Sequence, residues 1–152
     1  MLFRSTDALK TITNDVPMRF AGSRVLVLVP DAVSQNTIGA ILEREGCEVV
    51  FCGDELDAVV ELTRARIDLA LIDVSMRRGN MGSIAGAFRE RGFQGPLIAV
   101  ASDTSEQHLL SCRAAGFSDV VSKQIKRGEL NEVLRGVLRR RIGQRSLPLS
   151  ED

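Results

Sequence analysis

Three ionisable residues each follow a short aliphatic run. Asp31 comes after VLVLVP, Asp73 after LALI and Lys123 after DVVS. A residue just past a strand emerges from a rigid element, which is where binding and catalytic groups tend to sit. Two carboxylates converging on one rim make a hard-oxygen site that suits Mg²⁺. A carboxylate can also attack a phosphoryl group and form an aspartyl-phosphate. Such a transfer needs its charge neutralised by a metal and a cation. Asp31 would then ligate the metal, Asp73 would attack, and Lys123 would hold the phosphoryl oxygens. Each also has a plainer role. Asp73 fits a turn, Asp31 fits the N-cap of a helix beginning near Ala32, and Lys123 fits the surface.

Whether the three meet depends on the elements that carry them. Apolar runs occur at residues 25–29, Glu48–Cys52, residues 69–72, Leu97–Ala101 and residues 119–121. Most are continuously apolar rather than alternating, which predicts strands covered on both faces, hence a parallel sheet. Helical spacing fills the gaps. Leu56, Val59, Val60 and Thr63 fall at i, i+3, i+4 and i+7. Ile84, Ala87 and Phe88 repeat the pattern, as do Leu130, Val133, Leu134, Val137 and Leu138. Gly46, Gly92, Gly95–Pro96 and Gly116 separate helices from the strands that follow. Five strands alternating with five helices predict an α/β, doubly wound, flavodoxin-like fold with right-handed crossovers and strand order 2-1-3-4-5. Strands 1 and 3 are neighbours in that order, and ligands bind at the switch point between them. Asp31 and Asp73 would share that rim, with Lys123 close by. The domain is expected over residues 23–142. Residues 1–22 are expected to be a flexible extension, with 5–13 able to form a helical turn or two, and residues 143–152 a tail.

The stretches DELDAVVELTRARIDLALIDVSM and GPLIAVASDTSEQHLLSCRAAGFSDVVSKQI resemble the receiver domains of response regulators in two-component signalling. The resemblance runs from about Ser23 to Arg141. It implies a domain that takes phosphate from a histidine kinase or phosphotransfer protein, with Mg²⁺ required. It places Asp73 as phosphoacceptor, Asp31 as one of the acidic pair, and Lys123 as the lysine contacting the phosphoryl group. Ser75 would offer its backbone carbonyl to the metal. Several positions depart from the family pattern. Pro30 stands where a first acid is usual, and Arg77 and Gln124 stand where prolines are. Ala101 replaces the hydroxyl residue that ends strand 4, and Val120 replaces the aromatic residue or His of strand 5. The loop over 74–82 is about one residue longer than usual. Ala101 cannot hydrogen-bond a phosphoryl oxygen, so Ser102 is the hydroxyl that could stand in.

Composition narrows the classes. The chain has 152 residues, 44% of them hydrophobic and 26% charged, which suits one soluble domain with an aliphatic core. Twenty basic residues balance twenty acidic ones, which argues against direct nucleic-acid binding by the whole chain. The end from Lys123 to Arg145 holds eight basic residues against Glu129 and Glu132. Arg139–Arg141 close the last helix, where positive charge complements the dipole. No apolar run of about 18 residues predicts a membrane span. The N-terminus lacks a signal-peptide core, and three cysteines in no metal-ligand spacing suit a reducing compartment, so a cytoplasmic protein is expected. Cys47 and Cys52 should face opposite ways, Cys112 should be a small core residue, and His108 a surface or half-buried one.

The leading expectation is a stand-alone receiver. It would signal through contact with a downstream protein, with homodimerisation an open option, and would not act as an enzyme beyond self-phosphorylation and self-dephosphorylation on Asp73. The alternative is a non-phosphorylated pseudo-receiver serving as an interaction or dimerisation module. A flavodoxin would need a hydroxyl-rich loop after strand 1, where PDAVSQNTIG is a poor version. A haloacid-dehalogenase-type phosphatase would need a second acid at position 75, where Ser75 stands.

Overall fold

The computed structural model describes residues 20–77 and 81–137. Most of the expected extension, the tail, Leu138 and Arg139–Arg141 lie outside the described residues. Strands β1 (Arg24–Leu28), β2 (Glu48–Cys52), β3 (Leu69–Asp73), β4 (Leu97–Ala101) and β5 (Asp119–Ser122) form one sheet in the order β2-β1-β3-β4-β5. Every pairing is parallel. Helices α1 (Ala32–Arg44), α2 (Glu55–Arg64), α3 (Met81–Glu90), α4 (Glu106–Ala115) and α5 (residues 127–137) cross between and beyond them. The predicted fold and strand order are those observed. Strand limits differ from the sequence reading by one residue at β1, β3 and β5.

Alternate residues of each strand feed two separate cores, as the period of two requires. Val25, Val27, Leu69, Leu71, Ile98, Val100 and Val121 pack with α1 and α5 on one face. Leu26, Leu28, Ala70, Ile72, Leu97 and Ala99 pack with α2, α3 and α4 on the other. Phe20, from the segment assigned to the extension, is buried in the first core, and its N–H donates to Glu45 O at 3.1 Å. Cys47 and Cys52 lie in opposite cores, and Cys112 is fully buried.

The helix starts are capped by side chains. Asp31, Asp54 and Ser105 accept from the backbone N–H groups of Ser34, Asp57 and His108. Helix α4 stops at Gly116, whose φ of 114° suits a residue without Cβ. Gly95 is needed for a different reason: a Cβ there would lie 2.6 Å from Asp68 O.

Helix α2 corrects the sequence reading. Leu56 and Val60 are 73% and 44% exposed, so the stripe Leu56–Val59–Val60–Thr63 is not the buried face. The inward side is Ala58 with Leu62. The small Ala58 side chain lets α2 approach the sheet closely, and that contact sets the helix's rotation more than the sum of larger apolar residues does. The loop after β3 also differs. It begins with a 3-10 turn (Val74–Arg77), and α3 already starts at Met81, so the span read as loop over 74–82 is largely helical in its described part.

Burial pushes the Cys47 and Cys52 thiols up from 9.0 to about 12, with nearby carboxylates adding to the effect, and raises Cys112 as well. The folded chain therefore keeps these protons in a range where the unfolded chain loses them. Stability should be unaffected by the thiols below pH 9 and should fall between about pH 9 and 12. At pH 8 a disulfide-exchange reagent such as DTNB is expected to titrate three thiols in guanidinium and to react with the native chain only as fast as it opens. Rapid labelling of any thiol in native buffer would contradict the packing.

Candidate functional site

Asp73 is the last residue of β3, the middle strand, and is fully buried. A carboxylate there loses its hydration and must find replacements. Its Oδ1 accepts two hydrogen bonds from Ser75, from N–H at 2.9 Å and from Oγ–H at 2.6 Å. These two bonds fix the plane of the carboxylate. Its Oδ2 lies 2.8 Å from Lys123 Nζ, the length of a charge-assisted hydrogen bond.

Asp31 reaches the same ammonium from the other neighbouring strand. It sits just past β1, separated from it by Val29 and Pro30. Gln35 holds this turn twice: its Nε2 donates to Val29 O at 2.8 Å and its backbone N–H to Asp31 O at 3.1 Å. Asp31 Oδ2 caps α1 through Ser34 N–H at 3.0 Å, leaving Oδ1 facing Lys123 Nζ at 3.5 Å. Capping and site chemistry are thus divided between the two oxygens of one carboxylate. The Ser34 backbone N–H chiefly, then its hydroxyl and Lys123, hold the Asp31 carboxyl below its usual range.

Lys123 follows β5 directly, and its N–H continues the β4–β5 ladder by donating to Ala101 O at 2.8 Å. The hydrogen bond to Asp73 raises the Lys123 ammonium above its ordinary value despite partial burial, and the charges of Asp73 and Asp31 add to this.

Asp31, Asp73 and Lys123 therefore come together, and Ser75 joins them through its N–H and hydroxyl on Asp73 rather than through the carbonyl named from the sequence. Ser102 does not join them in any bond among the described residues; it is exposed, one step past the end of β4. Ala101 is buried at that end and presents only a methyl group, and Val120 is half-buried against the second core. Two contacts escaped sequence reading. The Ser75 hydroxyl bonds Asp73, which the D-x-S spacing could have suggested as an Asx or ST turn. Gln35 pins the β1–α1 turn, and no sequence signal singles it out.

The arrangement suits a hard divalent cation. Asp31 Oδ1 and Asp73 Oδ2 are buried atoms that both face the Lys123 ammonium, at 3.5 and 2.8 Å. Two such oxygens, with water completing the shell, are what Mg²⁺ uses. The described residues contain no cluster of three or more His, Cys, Asp or Glu, so a chelating cage for a softer metal is not formed there.

Residues 25–135 match the sequence profile of the response regulator receiver domain. Among curated relatives, transcription factor SKN7 of Saccharomyces cerevisiae is 30% identical over 129 residues, covering 85% of this chain and 21% of that protein. The Regulator of RpoS of Escherichia coli is 24% identical, over 69% of this chain and 31% of that protein. The chain thus spans about a third or less of these relatives' lengths. A solved receiver domain of a sensor histidine kinase from Pseudomonas aeruginosa, described with magnesium coordinated in its active site cleft, is 29% identical. It covers 77% of this chain and 98% of its own, with a TM-score of 0.66. A response regulator from Thermotoga maritima shares the fold at 20% identity and a TM-score of 0.69.

The Asp73–Lys123 contact makes a stability prediction. Lys123→Met leaves a buried carboxylate without its cation and should cost roughly 2–4 kcal/mol in urea unfolding. Adding Asp73→Asn removes the uncompensated charge and should recover most of that loss. Additive costs in the double variant would mean that the two side chains do not interact.

Proposed function

This chain belongs to the response regulator receiver family, and from that premise we propose that it accepts a phosphoryl group on Asp73 in a Mg²⁺-dependent reaction. The observation that carries the reading is the buried Asp73 carboxylate, 2.8 Å from Lys123 Nζ, with Asp31 3.5 Å from the same ammonium. A carboxylate oxygen of Asp73 attacks phosphorus, a new O–P bond forms, and the donor's bond to phosphorus breaks with its electron pair leaving on the donor. Lys123, held against the attacking carboxylate, would offer its charge to the incoming phosphoryl oxygens. Asp31 and Asp73, with the Ser75 carbonyl, would hold the metal, which supplies charge neutralisation. In this reading Asp73 is an acceptor that carries the phosphoryl group, and the chain is no enzyme beyond self-phosphorylation and self-dephosphorylation.

The donor is a histidine kinase or a phosphotransfer protein, in keeping with relatives such as the osmosensing histidine protein kinase SLN1 of yeast. Output runs through contact with another protein, in the cytoplasm. No helix among the described residues is long and apolar enough to cross a membrane. A phosphate-independent module gains no support from the site, since its acceptor, its lysine and one acid are in contact.

Intact-mass analysis with acetyl phosphate and Mg²⁺ tests the proposal. Wild type should gain one phosphoryl group and Asp73→Ala none. Equal gain in both, or no gain in wild type, would refute it. Asp31→Asn should weaken the apparent Mg²⁺ affinity by roughly tenfold or more, with phosphorylation recovering at raised Mg²⁺.

A further inference from the structure

Strand β5 is an edge of the sheet, so half of its N–H groups have no strand to pair with. Lys123 N–H points inward to Ala101 O. Successive N–H groups of an extended chain point to opposite sides, so those of Ser122 and Val120 face the open edge. Both are covered by carboxylates. Val120 N–H donates to Asp119 Oδ1 at 2.8 Å, and Ser122 N–H donates to Glu129 Oε2 at 3.1 Å. Glu129 belongs to α5, seven residues further on. A second bond closes the same turn, from Gln124 N–H to Ser122 Oγ at 3.1 Å. A proline at 124 could not make it.

Lys123 is therefore bracketed. The residue before it is tied to α5, the residue after it is tied back to Ser122, and its own N–H is tied to β4. We propose that Glu129 is a positioning residue for Lys123, holding the β5 edge so that the ammonium meets Asp73 and Asp31. The role rests on the reading of Lys123 as the phosphoryl-contacting group, but the geometry can be measured without phosphorylation.

The test is acylation of lysine ε-amines by a succinimidyl ester, read by peptide mass on the full chain. Wild-type Lys123 should react slowly, because its ammonium is engaged. Glu129→Ala should speed Lys123 labelling on the order of fivefold, as expected for one lost charge-assisted hydrogen bond. Glu129→Asp keeps the charge but loses reach and should behave likewise. Glu129→Gln keeps an accepting oxygen at the same length and should stay close to wild type. Lys126, exposed on the same loop, serves as the internal control and should not change. Unchanged Lys123 labelling in Glu129→Ala and Glu129→Asp would overturn the proposal. A parallel rise at Lys126 would also overturn it, because Glu129 would then merely stabilise the loop. Should Glu129→Ala fail to fold, the comparison of Glu129→Asp with Glu129→Gln decides. If labelling changes as expected while wild type gains no phosphate, the positioning role stands and the proposed function falls. If wild type is phosphorylated while labelling is unmoved, the reverse holds.

Discussion

A carboxylate buried at the end of the middle strand is the constraint on which the rest of this structure depends. Asp73 has no exposed surface, so its charge is tolerable only because a cation and two hydrogen-bond donors replace the lost water. The donors are local, both from Ser75. The cation is not: Lys123 lies fifty residues away and reaches Asp73 from two strands over, across β4. The pair therefore forms only when β3, β4 and β5 are all in place. Replacing it with apolar groups could be as stable, since a buried ion pair is weak evidence for stability alone.

The sheet order delivers the third member. β1 and β3 are adjacent because the chain crosses to β2 on one side and returns to β3 on the other. At that reversal the loops after β1 and β3 part, leaving a cleft between them. Asp31 emerges beside it, and its N-cap duty aims one oxygen at Ser34 and leaves the other for Lys123. One short side chain thus starts a helix and completes a site.

Much of this was legible in the sequence, and what was not has physical causes. Continuous aliphatic runs identified strands because a sheet covered on both faces has no polar side to alternate with. Asp31, Asp73 and Lys123 could be placed because they stand just past such runs, where a strand dictates position. Helix α2 misled because Leu56 and Val60 are larger than Ala58, yet close approach to a sheet favours the small residue. The 3-10 turn after Asp73 was hidden because VSMR carries no Gly or Pro to announce it. Glu129 was hidden too. It reads as an ordinary charge on a helix, and only the open edge of β5 gives it an N–H group to accept from.

The substitutions near the site acquire a common meaning from these contacts. Ala101 and Val120 offer neither a hydroxyl that could follow a phosphoryl oxygen nor a ring that could change its packing. Any change in charge at Asp73 then acts on the groups bonded to it, the Ser75 N–H and hydroxyl and the Lys123 ammonium. From Lys123 the bonded route is short: one peptide to Ser122, then one hydrogen bond to Glu129 on α5. Gln124 strengthens the same turn through a backbone N–H that proline lacks. With Ala101 and Val120 at these positions, the bonded contacts from Asp73 through Lys123 and Ser122 still reach helix α5.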